Sequence, residues 1–246
     1  MNKILAASLL PILLVGVSHA APASSPVVIE LFTSEGCSSC PPADALLSKL
    51  QKAGAVEGAE VLVLGEHVDY WNHLGWADRF SSAALTQRQA DYARRFSLDS
   101  SYTPQMVIDG HKELVGNDES GVRRQLALAA ALPKPAQVKL AWAGANQLQI
   151  DVDAKDVSGQ ILLAITEDGL STEVRNGENG GRTLRHSGVV RELREIGTLR
   201  GGQFASHEKL AAHSDWVNNN LRAVVFVQQA GHRDILGAAS LAFSAR

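Results

Sequence analysis

ELFTSEGCSSCPPADALL, residues 30–47, holds both cysteines of a 246-residue chain. Cys37 and Cys40 are separated by two serines, and two prolines follow at once. Ala45, Leu46, Leu47 and Leu50 then fall on one face of a helix. Proline is accommodated in a first helical turn, where backbone N–H groups lack intrahelical partners anyway. The spacing therefore predicts a helix over residues 41–52 that starts at the cysteine pair. Upstream, VVIELF (residues 27–32) is apolar and rich in β-branched residues, which predicts a strand.

The cysteine pair has three readings. A thiolate at a helix N-terminus meets unpaired N–H groups and the positive end of the helix dipole, which lowers its pKa and keeps the nucleophilic form present at neutral pH. On that reading Cys37, normally the more exposed of such a pair, attacks a substrate disulfide, and Cys40 resolves the mixed disulfide. A structural staple is the second reading, although so short a loop removes chain entropy worth only roughly 2 kcal/mol. The third is half of a metal site, for which no histidine pair follows at finger spacing.

The N-terminus bears on this choice. Lys3, an apolar run over residues 4–17 broken by Pro11, and Ser18-His19-Ala20 before Ala21-Pro22 form the pattern of a secretory signal cleaved near Ala20. The run is too short for a comfortable membrane span. Residues 1–20 are thus expected to be a signal peptide, and the protein to be exported, periplasmic or secreted, with no stable membrane anchor. An oxidising compartment lets a disulfide persist. A formal net charge of −3, with 45% hydrophobic and 20% charged residues, supplies no basic field for nucleic acid.

Farther along, VLVLG (61–65) and residues 105–108 predict strands, and Asp109-Gly110 predicts a hairpin turn to a strand at 113–115. Residues 83–96 and 119–132 predict helices, the latter capped by Asn117 or Asp118. After Pro133-Lys134-Pro135 the apolar period shifts to two, at Val138, Leu140 and Trp142 and at Leu148, Ile150 and Val152. Residues 161–165 and 224–227 predict further strands, with one or two short helices among them. The first half alternates strand and helix; the second is mostly β, which favours a sandwich-type domain.

Strand VVIELF, the Cys37-Ser-Ser-Cys40 helix start, and Thr103-Pro104 before QMVIDG together resemble a thioredoxin fold. That resemblance implies a cis peptide at Pro104 opposite the dithiol, with Thr103 beside the attacking sulfur. LFTSEGCSSCPPAD, HVDYWNHLGW, YTPQMVIDG and NGENGGRTLRH, in that order, resemble a family of exported bacterial proteins catalogued as a domain of unknown function. Compared with ordinary thioredoxins, the chain lacks Trp before the first cysteine, has Ser-Ser between the pair, and carries a long insertion before Pro104.

The expected architecture is an α/β thioredoxin-like fold with a helical insertion over residues 27–133, followed by a β-rich, sandwich-like domain over 138–246. The candidate catalytic residues are Cys37, Cys40, Thr103, Pro104 and Glu30. Glu30 is read either as a buried proton relay or as an edge-exposed glutamate. His67, Asp69, Tyr70 and Trp71 follow the second strand and are candidates to bind substrate. With His73 and the cysteines, His67 and Asp69 are candidate ligands for copper or zinc. The basic run Arg182, Arg185, His186, Arg191 and Arg194 reads as a carboxylate or phosphate site, or as a solvated face offset by Glu178, Glu192 and Glu195. No cofactor is expected beyond a redox-active Cys37–Cys40 disulfide, and the expected partners are protein or small-molecule thiols and disulfides. The alternative function is a non-catalytic binding or metal-handling protein whose disulfide is structural.

Overall fold

The computed structural model describes residues 26–144, 146–211 and 213–243, so the signal read at residues 1–20 lies outside it. The elements run β1 (Val27–Thr33), α1 (Pro41–Ala53), β2 (Ala55–Val56), β3 (Ala59–His67), α2 (Ala83–Arg95), β4 (Gln105–Ile108), β5 (Lys112–Val115), α3 (Glu119–Ala131), β6 (Ala136–Gly144), β7 (Gln147–Glu167), β8 (Leu170–Glu173), β9 (Thr183–His186), β10 (Val189–Lys209), β11 (Leu221–Gln228) and β12 (Ile235–Ala242). Single turns of 3₁₀ helix lie at Asn72–Leu74 and Asn218–Asn220. No described helix is long and apolar enough to cross a membrane.

β1 is buried along its whole length because it lies between two layers. Its alternation sends Val27, Ile29 and Leu31 into a core with Leu46, Leu47 and Leu50 of α1 and Val122 and Leu126 of α3. Val28 joins a second core on the opposite face, which includes Leu85 of α2. β1 pairs in parallel with β3 and antiparallel with β4. The β4–β5 hairpin turns at Asp109 and Gly110, at φ of 49° and 66°, the left-handed pair that an Asp-Gly turn supplies. The Asp118 carboxylate accepts the Gly121 N–H and caps α3.

The expectation of a thioredoxin-like domain followed by a separate sandwich-like domain is corrected by the sheet itself. One ten-stranded mixed sheet carries the order β12-β11-β7-β10-β3-β1-β4-β5, with β2 and β6 pairing beside β3 and β7. The strands of the second half therefore continue the sheet of the first. The joint is narrow: Val189 of β10 pairs with Gly65 of β3, and the Gly65 N–H donates to Gly188 O at 2.7 Å. A Cβ on Gly65 would stand 3.1 Å from Ser187 O, so glycine admits this close approach. Hydrophobic period reports which side chains are buried, not which strand lies alongside, and that is why the join was missed.

β7 and β10 are 21-residue strands paired along their length, with three register shifts in β10. β6 pairs with the first part of β7 and β11 with the second. Leu148, Ile150, Leu163, Val225 and their neighbours form a third core. In place of the short helices expected in this half, the described residues hold only the 3₁₀ turn at Asn218–Asn220.

Candidate functional site

Cys37 and Cys40 form a disulfide at the mouth of α1. The turn is built by backbone bonds from Cys37 N–H to Ser34 O (3.1 Å) and from Cys40 N–H to Cys37 O (3.2 Å). Cys40 is the N-cap residue, and Pro41 and Pro42 occupy the first helical positions. These prolines carry no N–H, so two donors usual at a helix start are absent.

The expected exposure of Cys37 is not found, since both cysteines are 0% exposed. Part of what closes on this turn comes from the second half of the chain. The Asn179 side-chain amide, itself buried, donates to Glu35 O and to Cys37 O, each at 2.9 Å. The Ser38 N–H donates to Glu178 Oε2 at 3.1 Å. On another side Trp71 closes against Gly36, where an added Cβ would stand 3.0 Å from the Trp71 Cβ. A contact 140 residues away in sequence leaves no local trace.

The Thr103–Pro104 peptide is cis, as the resemblance implied. Trp71 Nε1–H donates to Thr103 Oγ1 at 2.9 Å, so Trp71 links this segment to the cysteine turn. Gly116 sits where a Cβ would meet Pro104 Cβ and Ala43 Cβ, both at 3.1 Å, which places Pro104 beside the first turn of α1. The Tyr70 hydroxyl donates to Gln89 Oε1, and burial raises its pKa. Asp69 is tied to α2, accepting from the Thr86 hydroxyl at 2.6 Å. His73 is exposed.

Glu30 is buried at 0% exposure in a central strand, which corrects the edge-exposed reading. Its register places it on the α2 side of the sheet, away from α1. Arg88 Nε–H donates to Glu30 Oε2 and the Tyr92 hydroxyl to Glu30 Oε1, both at 2.5 Å. Arg88 also reaches Glu66, with Nε 3.4 Å from Oε1, and donates to Gln228 Oε1 at 3.1 Å. Burial raises the pKa of Glu66 well above the usual carboxylate range, and the neighbouring Glu30 charge adds to it.

A second buried ionisable group lies next to the cysteine turn, and most of it escaped the sequence reading. His67 Nδ1 and Asp78 Oδ2 are 2.6 Å apart, with both side chains buried. The same Asp78 oxygen accepts the Glu35 N–H at 2.9 Å. Trp76 Nε1–H donates to Glu35 Oε2 at 2.8 Å, and His186 Nε2 stands 3.3 Å from Glu35 Oε1. The two imidazoles meet edge to face, with centroids 4.8 Å apart. Asp44, in the first turn of α1, is buried within the field of both histidines.

Burial alone pushes the Asp78 pKa up and the His67 pKa down, but their mutual charge and hydrogen bond outweigh it. Asp78 is left lowered and His67 raised, which favours a charged pair. For Glu35 burial is likewise outweighed, by His186, Thr172 and Trp76, and the pKa falls. For Asp44 burial wins and the pKa rises. Among the described residues, no group of three or more His, Cys, Asp or Glu side chains is placed to hold a metal ion. Of these groups His67 was legible as a candidate. Glu35 and Asp44 flank the cysteines in sequence and offered a signal by proximity; His186 was named only as a member of the basic run, and Asp78 offered none. The arginine run is divided among local partners: Arg182 donates to Asn179, Arg191 meets Asp215 and Glu167, and Arg194 meets Glu192 and Glu208.

The sequence profile of the family described as "Protein of unknown function (DUF1223)" matches residues 28–228, and the chain belongs to that family. It is similar to protein AGR_C_4864 from Agrobacterium tumefaciens, at 28% identity and a TM-score of 0.74, covering 92% of this chain and 98% of that one. HBP35 of Porphyromonas gingivalis shares the fold at 14% identity and a TM-score of 0.67, covering 91% of this chain and 77% of that one. No curated protein matches the chain.

Proposed function

We propose that this chain is an exported thiol–disulfide oxidoreductase of the thioredoxin-like superfamily. One observation carries the reading: the Cys37–Cys40 disulfide sits at the start of α1, with Cys40 as its N-cap, against a buried cluster of carboxylates and imidazoles. Superfamily membership is supported by the element order around it, a parallel β1–α1–β3 unit followed by the β4–β5 hairpin and α3.

In the exchange step a partner thiolate attacks Sγ of Cys37. A partner S–Cys37 bond forms, the Cys37–Cys40 bond breaks, and its electron pair leaves on Cys40 as a thiolate that takes up a proton. A second thiol of the partner, losing its proton, then displaces Cys37 as a thiolate. The partner leaves as a disulfide, and this chain holds the two electrons as its dithiol. The reverse sequence oxidises the chain.

Proton handling falls to Asp44 and His67 rather than to Glu30. Asp44 lies on the same helical turn as Cys40 and keeps its proton to higher pH than an exposed aspartate. Glu30 faces the other side of the sheet and is held by Arg88. Thr103, Pro104, Tyr70 and Trp71 form the partner groove. Export rests on the signal pattern of residues 1–20, and partners are thiols and disulfides of proteins or small molecules.

The complete burial of both cysteines favours a second reading, a binding module in which the bridge is structural. A redox titration of the pair separates the two. A reduction potential above roughly −300 mV, with exchange lost in Cys37→Ser and mixed disulfides trapped by Cys40→Ser, is the expected result. A potential below that value, or exchange that survives Cys37→Ser, overturns the oxidoreductase reading.

A further inference from the structure

β8 and β9 form a two-stranded sheet of their own, off the ten-stranded sheet, so no ladder bonds fasten them to it. The hairpin leaves the main body at Gly169 and returns at Gly188, with φ of +72° and +60°. At both feet the chain can take backbone conformations closed to other residues. The feet are clamped together where the Gly188 N–H donates to Asp168 Oδ1 at 2.7 Å. Behind the hairpin, between α1 and β9, lies an open cleft of about 850 Å³ bordered by Pro41, Asp44, Ser48, Arg185 and His186. Toward its foot the hairpin is held by Ser187 Oγ, 3.0 Å from Ser48 Oγ of α1, by buried His186, 3.3 Å from Glu35 Oε1, and by Ser171 O, which accepts from Arg79 at 3.2 Å.

Its tip is the part that meets the disulfide. Asn179 binds the carbonyls on either side of Gly36, Glu178 takes the Ser38 N–H, and Arg182 Nη1–H holds Asn179 Oδ1 at 3.1 Å. Val174 and Leu184 of the hairpin are themselves buried, which makes the closed form the resting one. In this closed form both cysteines are at 0% exposure, and a partner thiolate has no line of attack on Sγ of Cys37.

The geometry points to a gating role for this hairpin: residues 170–187 are a flap hinged at Gly169 and Gly188, latched at its tip by Asn179 and Glu178 and at its foot by His186 and Ser187, and its tip must lift before the Cys37–Cys40 bridge can exchange with a thiol. The inference deepens the oxidoreductase reading by adding the control of its site, and it rests on that reading only for the identity of the exchanging partner.

The test is the rate at which dithiothreitol reduces the bridge in the native full chain, with new thiols trapped by alkylation and counted by mass spectrometry. Wild type is compared with Asn179→Ala and with Glu178→Gln. Loss of the Asn179 bonds is expected to raise the rate roughly tenfold, and loss of the Glu178 charge about threefold. Global unfolding rates, measured in parallel, are expected to stay well below the reduction rates. Equal reduction rates in all three proteins overturn the flap. So does a wild-type rate equal to its global unfolding rate. Should Asn179→Ala fail to fold, Glu178→Gln, altered at an exposed position, carries the test. A fast Asn179→Ala protein that still exchanges with no dithiol substrate upholds the flap and sinks the oxidoreductase reading. Wild-type turnover that neither variant changes does the reverse.

Discussion

Replacing Asp78 by Asn tests whether the buried ionisable cluster holds the cysteine turn in place. Asp78 Oδ2 takes the Glu35 N–H at 2.9 Å and lies 2.6 Å from His67 Nδ1, while Oδ1 takes the Phe80 N–H at 2.9 Å. An asparagine can keep the Phe80 bond, but its NH₂ then faces two donors. Two bonds to a charged acceptor are lost, each worth about 1.5–3 kcal/mol. His67 limits the damage by giving up its proton, so a cost of about 3–5 kcal/mol is expected, in the range for breaking a buried pair.

The cost depends on pH, with a sign fixed by the two shifts. His67 has a raised folded pKa, so its contribution is full below about pH 6.5 and is lost as pH rises through the folded value. Asp78 has a lowered one, so its contribution is full above about pH 3.9 and is lost as pH falls through the folded value. The pair is worth most between those limits. Urea unfolding of wild type and Asp78→Asn is measured at about pH 5.5 and about pH 9. The difference should be larger at the lower pH. A cost below about 1 kcal/mol, or the same cost at both pH values, refutes the assignment of a charged His67–Asp78 pair.

Two further outcomes concern the other buried network. Arg88→Met strands Glu30 and Glu66, both 0% exposed, and should lower unfolding stability by about 3–5 kcal/mol, with part regained when Glu30→Gln is added; a cost no larger than a surface substitution shows that Arg88 is not their counter-ion. Glu66 has a raised folded pKa, so its stabilising contribution is full below about pH 4.3 and is lost as pH rises through the folded value. Glu66→Gln should therefore stabilise the protein more at about pH 9 than at about pH 5, read from urea midpoints; an equal effect at both contradicts the shift.

The local elements were legible because their causes are local. Two prolines after Cys40 and a helical apolar face set the start of α1 where the structure has it, at Pro41. Asp109-Gly110 marked the hairpin, since few residues accept positive φ at successive positions. A chain with two cysteines at this spacing offers one intramolecular bridge, and that bridge is present. Glu30 shows where such reading stops. Its place in a strand was legible, but the choice between edge and interior depended on Arg88, 58 residues away.

The sequence by itself determined the main strands and helices of the first half, some strands of the second, the single bridge two cysteines can form and which family the chain resembles, because each follows from neighbours along the chain; β8, β9, β10 and β12 were not read from it. Tertiary structure alone decided that both halves share one sheet, joined where Gly65 admits β10. It also decided that Asp78 and His186 stand behind the cysteine turn, and that Asn179 closes over it. These are contacts between groups far apart in sequence, fixed by burial: a polar group taken out of water must find a partner wherever the fold brings one.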